Sequence, residues 1–290
     1  MWSPRTRNFF LAPAVIVLLG VGIFPLLFAV DVSLRDYQIT KPALGFGWNN
    51  FANYLQVFSD PYFWGSLGRT FFFLILTLPV QFLLGLCIAL LLYRKDWGFL
   101  RSVARVALVI PLATTPAVVG LIGRLIFDSD FGLANWIVYL LGGAKVTFLG
   151  DPNLALLAVA FMDTWQWTPF FALVFLASLT SVPHEAVEAA TLETDRRWDL
   201  FRFVEWPYLL PGLTAVLILR TADAMKLFDL IFVMTRGGPG SATELISVYT
   251  QRVGFRVFDL GVASAMAVLS LVVTIVLARL YIRVFYRETE

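Results

Sequence analysis

Apolar residues run almost without interruption through six stretches of this chain, residues 9–30, 70–93, 106–127, 154–179, 208–233 and 262–284. A helix needs about 20 mostly apolar residues to cross the hydrocarbon layer, so the pattern predicts six transmembrane helices. Membrane β-barrels show alternating segments of about ten residues instead, and these continuous runs exclude one. Two of the connecting stretches are long. Residues 31–69 are rich in rings, with Phe46, Trp48, Phe51, Tyr54, Phe58, Tyr62, Phe63 and Trp64. Such residues settle at the membrane surface, and a short surface-lying helix is expected around residues 50–58. That stretch serves either to receive an external partner or only as an interfacial belt. The second long connection, residues 181–207, is charged and helix-forming. No internal repeat or soluble second domain interrupts the pattern, so residues 1–290 read as a single membrane domain.

Composition agrees with that pattern. Hydrophobic residues make up 59% and charged residues 14%, with a mean hydropathy of +0.79, too apolar for one water-soluble core. Positive residues beside short loops stay on the cytoplasmic side. With the N-terminus inside, that side holds Arg5, Arg7, Arg94, Lys95, Arg101, Arg105, Arg196, Arg197, Arg202, Arg283 and Arg287. The outer segments hold Arg35, Lys41, Arg69, Lys145, Arg236, Arg252 and Arg256 over a longer length of chain. Both ends therefore read as cytoplasmic, and residues 181–207 face the cytoplasm. The first span exceeds the usual signal core of about 7–15 residues and reads as a retained signal-anchor. A net charge of +2 reflects the inside-positive bias and implies no nucleic acid. Cys87, the lone cysteine, can form no intrachain disulfide and reads as a packing residue.

Within residues 181–207, Ser181 is a candidate cap and Pro183 suits a first turn, while Glu185 and Glu188 favour a positive helix N-terminus. A helix over 184–193 is expected. Beyond Thr194-Asp195, Trp198, Phe201, Phe203, Val204 and Trp206 lie beside Arg196, Arg197, Arg202 and Glu205, which predicts a second amphipathic helix ended by Pro207. The two helices make a protruding elbow; the plain alternative is an ordinary interfacial loop. The spacing resembles the cytoplasmic EAA loop of ATP-binding-cassette importer permeases: E-A-A, three residues, G, nine residues, I, one residue, L-P. Here Glu188-Ala189-Ala190, Val204 and Pro207 fall in register, with Thr194 at the glycine position and Trp206 at the leucine. A β-branched residue resists the positive φ that glycine allows, so Asp195 or a shallower bend is expected there.

The fifth span carries Arg220, Asp223 and Lys226. Each charge costs about 2.5–3.5 kcal/mol at mid-bilayer, so the three must face protein or water. At 100° per residue they fall within one 120° sector, and Asp223 can pair with Arg220 or with Lys226. In the fourth span, Asp163, Gln166 and Trp167 share one face, with Trp165 nearby. Carboxylates and amides bind hydroxyls and indoles cover a sugar's apolar face, so these residues suit a neutral, hydroxyl-rich substrate. Equally, they can satisfy one another or bridge to a partner subunit. Arg124 and Arg279 lie near span ends, where they can snorkel.

The run from Leu219 to Glu244 resembles the fifth span and following outer loop of carbohydrate-uptake permeases, with Phe228, Asp229, Ile231, Val233, Thr235, Gly237, Gly238 and Pro239 in the F-D-x-I-x-V-x-T…G-G-P places. The chain is similar to the maltose, trehalose and glycerol-phosphate type permeases, and in size to the shorter of them. The resemblance implies an all-α polytopic fold of six spans with the EAA coupling helix between spans 4 and 5. It implies a second homologous permease, a cytoplasmic ATPase dimer that binds ATP and magnesium, and an external solute-binding protein. It also assigns ATPase coupling to Glu185, Glu188, Ala189, Ala190, Thr194, Val204 and Pro207. No lysine of this chain follows glycine in a G-K-S or G-K-T phosphate loop, and with His184 the one histidine, no metal cluster or histidine triad is evident. An ion-coupled secondary transporter using Asp163 and Asp223 is the alternative, though it needs no cytoplasmic elbow. An integral-membrane enzyme would require a catalytic set that the sequence does not offer.

Overall fold

A computed structural model of the chain describes residues 4–41, 46–93 and 98–285. Arg94, Lys95 and Arg287, three of the cations used to orient the spans, lie outside the described residues. Among the described residues the chain is helical, with isolated bridges and no strand. In order the helices are α1 (Pro4–Val17), α2 (Phe24–Ser33), α3 (Ala52–Ser59), α4 (Pro61–Tyr93), α5 (Gly98–Ala113), α6 (Pro116–Ile126), α7 (Leu133–Leu140), α8 (Pro152–Thr180), α9 (His184–Glu193), α10 (Arg197–Leu200), α11 (Trp206–Met225), α12 (Asp229–Met234), α13 (Ile246–Phe255) and α14 (Leu260–Phe285). Four stretches, Phe9–Ser33, Pro61–Tyr93, Arg197–Met225 and Leu260–Phe285, are long and apolar enough to cross a membrane. Two bent pairs, Ser102–Ala113 with Pro116–Ile126 and Pro152–Thr180 with His184–Glu193, make six if each is one span.

Two stretches expected as single rods are broken. Residues 106–127 divide at Thr114–Thr115, where α5 and α6 meet at 95°. Pro116 opens α6 and disfavours helical backbone at the residue before it, and Thr115 is extended, with φ −67° and ψ 146°. The stretch 208–233 ends early, at Met225. There the amides of Lys226 and Leu227 turn back to the carbonyls of Asp223 and Ala224, a tighter closure that stops α11 before α12 begins at Asp229. Hydropathy registers only that these residues avoid water, not that the rod is continuous.

The chain divides into two compact units, residues 1–65 with 249–272 and residues 66–248 with 273–290. In the first, a π-turn at Leu18–Ile23 joins α1 to α2 just ahead of Phe24-Pro25. Proline has no N–H to return to the preceding turn and its ring crowds a carbonyl there; the wider turn relieves both. The Asn53 amide donates to the carbonyls of Ser33 and Arg35 at 2.9 and 3.0 Å, closing the end of α2. Gln38 donates to Asp259 at 2.7 Å, just ahead of α14. Gly261 is required by close approach, since a Cβ there would lie 2.6 Å from the Arg35 oxygen. The short helix expected around residues 50–58 is α3.

In the second unit α8 is the axis of packing. Its first half buries Val159 and Met162 against Phe73, Val119, Leu230 and Ile231. Its second half buries Phe171, Phe175 and Leu179 against Ala89, Leu209, Leu213 and Val216. In lipid such contacts gain from close fit rather than from leaving water. α4 presents a stripe spaced four apart, Phe73, Thr77, Gln81, Gly85 and Ala89, and every one is buried. At Gly85 a Cβ would stand 2.4 Å from Phe171 Cβ, so glycine sets how closely α4 meets α8.

Candidate substrate pathway and coupling elbow

Arg220 is wholly buried on α11 and uses three different nitrogens. Its Nη2 donates to Asp163 Oδ2 on α8, its Nε donates to Gln81 Oε1 on α4 at 3.2 Å, and its Nη1 donates to Asp223 Oδ2 at 3.3 Å. Gln81 Nε2 in turn donates to Asp163 Oδ2 at 2.9 Å. The guanidinium lies over the Trp167 ring, 4.9 Å from its centre. Lys226 Nζ stands 3.8 Å from Asp223 Oδ1, so Asp223 pairs with both of the partners its spacing offered. Two cations and two carboxylates balance. Where the dielectric is low, leaving one of them alone costs far more than the pair gains.

The three charges do not sit at the centre of a rod, as hydropathy suggested, but in the last turns of α11 and its cap. They are not equivalent either. Arg220 and Asp163 side chains are 0% exposed, Asp223 is 27% exposed and Lys226 is 76% exposed. Asp163, Trp167, Gln81, Arg220, Asp223 and Lys226 form one cluster, whereas Trp165 and Gln166 stand apart from it. Gln166 Nε2 donates to the Thr114 carbonyl at 2.8 Å, satisfying the broken end of α5. Trp165 lines an apolar groove of about 550 Å³ between α4, α5 and α8, with Leu76, Val80, Leu108 and Phe161. Two residues along a helix is a 200° turn, which carries Trp165 away from Asp163. Asp163 Oδ1 and Trp167 Nε1 are buried and have no hydrogen-bond partner among the described residues. Gln81 escaped sequence reasoning; the signal was there as an amide inside a charge-free apolar run.

The connection between α8 and α11 folds as an elbow. α9 spans His184–Glu193 as its pattern predicts, at 78° to α8. Ser181 does not cap it: its hydroxyl donates back to the Ser178 carbonyl at 2.7 Å and closes α8, while Pro183 occupies the cap of α9 with no side-chain bond. Glu185, Glu188 and Ala189 are exposed, and Leu192 is 90% exposed. Thr194 needs no positive φ, because it is extended at φ −148° and ψ 136°, a conformation that a β-branched residue accepts. Its hydroxyl accepts from the Arg196 N–H and donates to Asp199, both at 3.1 Å, and so organises the start of α10. The second helix is not ended by Pro207. A π-turn at Phe201–Glu205 carries α10 into α11, and Pro207 lies in the first turn of α11, the same device that precedes Pro25. The apolar side of this stretch splits: Phe201 and Trp206 pack inward with Phe82, while Trp198 and Phe203 are exposed.

Residues 62–288 match the family described as binding-protein-dependent transport system inner membrane component. The chain belongs to that family. It is 34% identical over 275 residues to a trehalose/maltose transport system permease protein of Thermococcus litoralis, covering 94% of this chain and 90% of the relative. To a sulfoquinovosyl glycerol transport system permease protein of Agrobacterium fabrum it is 31% identical over 279 residues, covering 94% and 88%. Among solved structures it is similar in fold to a chain of a bacterial ABC transporter involved in the import of the acidic polysaccharide alginate. That match has a TM-score of 0.82 at 19% identity and covers 98% of both chains. A second crystal structure, of the alginate transporter in complex with an alginate pentasaccharide-bound periplasmic protein, matches with a TM-score of 0.83 at 18% identity, covering 100% of this chain and 98% of the other. The chain is thus the multi-pass permease component of an ABC transporter, and ATP hydrolysis belongs to a separate subunit.

Proposed function

We propose that this permease moves a neutral sugar into the cell by alternating access, driven by a cytoplasmic ATPase dimer that holds ATP and magnesium. It works with a second homologous permease and an extracytoplasmic solute-binding protein, and it crosses the membrane six times with both ends inside. One observation carries the reading: the exposed elbow runs out of α8 and into α11, and those two helices also hold the buried Asp163–Arg220 pair. A push on α9 therefore acts at both ends of a braced unit, and packed helices move as bodies rather than bend. Glu188 and Glu185 meet the ATPase, Ala189 and Ala190 allow close approach, Thr194 and Val204 set the elbow, and Pro207 leads into α11.

Within the pathway the partly exposed groups, Asp223, Lys226 and Trp167, meet the substrate, while Asp163 and Arg220 stand behind them. A neutral sugar fits because each cation already faces a carboxylate, so an anion would have to displace one. The test is substrate-stimulated ATPase activity of the assembled complex in lipid, with Glu188→Lys as the variant. The expected outcome is that stimulation falls to background and the ATPase dissociates, since a charge is reversed on the docking helix. Full stimulation with the ATPase still bound would contradict it.

A further inference from the structure

We propose that Gln81 is the positioning residue of the pathway: by bridging Asp163 and Arg220 it fixes the guanidinium so that Nη1 is left to share Asp223 with Lys226. This rests on the reading that Asp223 and Lys226 meet the substrate. Gln81 is completely buried, at the middle of the stripe that α4 turns toward α8. Thr77, on the same stripe, is satisfied by its own helix at the Phe73 carbonyl, whereas both ends of the Gln81 amide reach other helices. The amide supplies both polarities needed, a donor to the carboxylate and an acceptor for the guanidinium, on two separate atoms.

The geometry explains why the arrangement depends on it. Arg220 presents Nε and Nη2 side by side, the pair that ordinarily grips both oxygens of one carboxylate. Here Nε is held by Gln81, and Asp163 Oδ1 has no hydrogen-bond partner among the described residues. Without Gln81 the fork can close on Asp163, turning Nη1 away and releasing Asp223 to Lys226. Asp223 is loosely shared, at 3.3 Å from Nη1 and 3.8 Å from Nζ, so a small rotation decides the balance. The substrate would then meet a closed Asp223–Lys226 pair in place of two groups with spare capacity.

The experiment uses the complete complex in liposomes, with trehalose and maltose as first probes, and measures KM and kcat of substrate-stimulated ATPase. Gln81→Leu is expected to raise KM roughly tenfold with kcat within about twofold, as loss of a hydrogen bond to a charged group implies. Gln81→Glu and Asp163→Asn, each alone, should also raise KM. Variants of Gln81 that lower only the amount of folded complex and leave KM unchanged would overturn the proposal. Asp223→Asn and Lys226→Met separate the two claims. If neither alters KM, the pathway reading fails with the proposal; if they alter KM and Gln81→Leu does not, Gln81 alone is misassigned.

Discussion

A single guanidinium at Arg220 holds together groups from three helices, and its removal leaves Asp163 buried and unpaired. Breaking such a pair costs about 3–5 kcal/mol. Arg220→Met is therefore expected to lower the melting temperature of the purified permease by on the order of 10 °C, measured by thermal unfolding in detergent. Removing the whole set, as Arg220→Met with Asp163→Leu and Gln81→Leu, should recover most of that stability while transport stays lost, because packed apolar residues replace buried ions at little cost. The charged members of this cluster were legible in the sequence, since a charge in an apolar run demands a partner. Gln81 was not, because an amide in hydrocarbon is a weaker anomaly than a charge. Trp165 and Gln166 were legible as unusual but not in their roles: one lines an apolar groove, and the other answers a carbonyl on α5 that exists only because the helix breaks there.

Helix α9 followed directly from its sequence, having a proline at the start, acidic residues in the first turns and a β-branched, polar stop. The breaks at Thr114–Thr115 and Lys226–Phe228 did not, since both lie within runs that hydropathy treats as uniform. Pro207 misled in the opposite direction. A proline ordinarily ends a helix, yet a π-turn ahead of it lets the backbone continue. Thr194 shows how a departure from a family pattern is absorbed: two hydrogen bonds from its hydroxyl stand where glycine would supply only conformational freedom. Thr194→Gly is thus expected to weaken the elbow rather than improve it. Stimulated ATPase activity should fall about two- to fivefold, corresponding to roughly 0.5–1 kcal/mol for lost local capping, with KM for the sugar unchanged.

At the scale of the assembled importer, the orientation of the elbow is the quantity to establish. Leu192 is 90% exposed on α9, and Cys87 is the one native thiol, so Leu192→Cys in a Cys87→Ser background gives a single reporter. A membrane-impermeant maleimide should label it from the cytoplasmic face alone, and bound ATPase should slow labelling at least about tenfold. Labelling from the outer face would reverse the topology. The helical, membrane-embedded class was legible because lipid imposes a length and a composition. Which helices brace one another was not, because inter-helix fit in lipid depends on single residues such as Gly85. The π-turn before Pro207 also bears on how such importers diversify. It contains one residue more than an ordinary turn, and one residue is about 100° of rotation. The heading of the elbow is therefore a matter of counting: a chimaera that borrows a relative's elbow must import this turn with it, since a deletion of one residue would swing α9 and α10 by about 100° around the axis of α11.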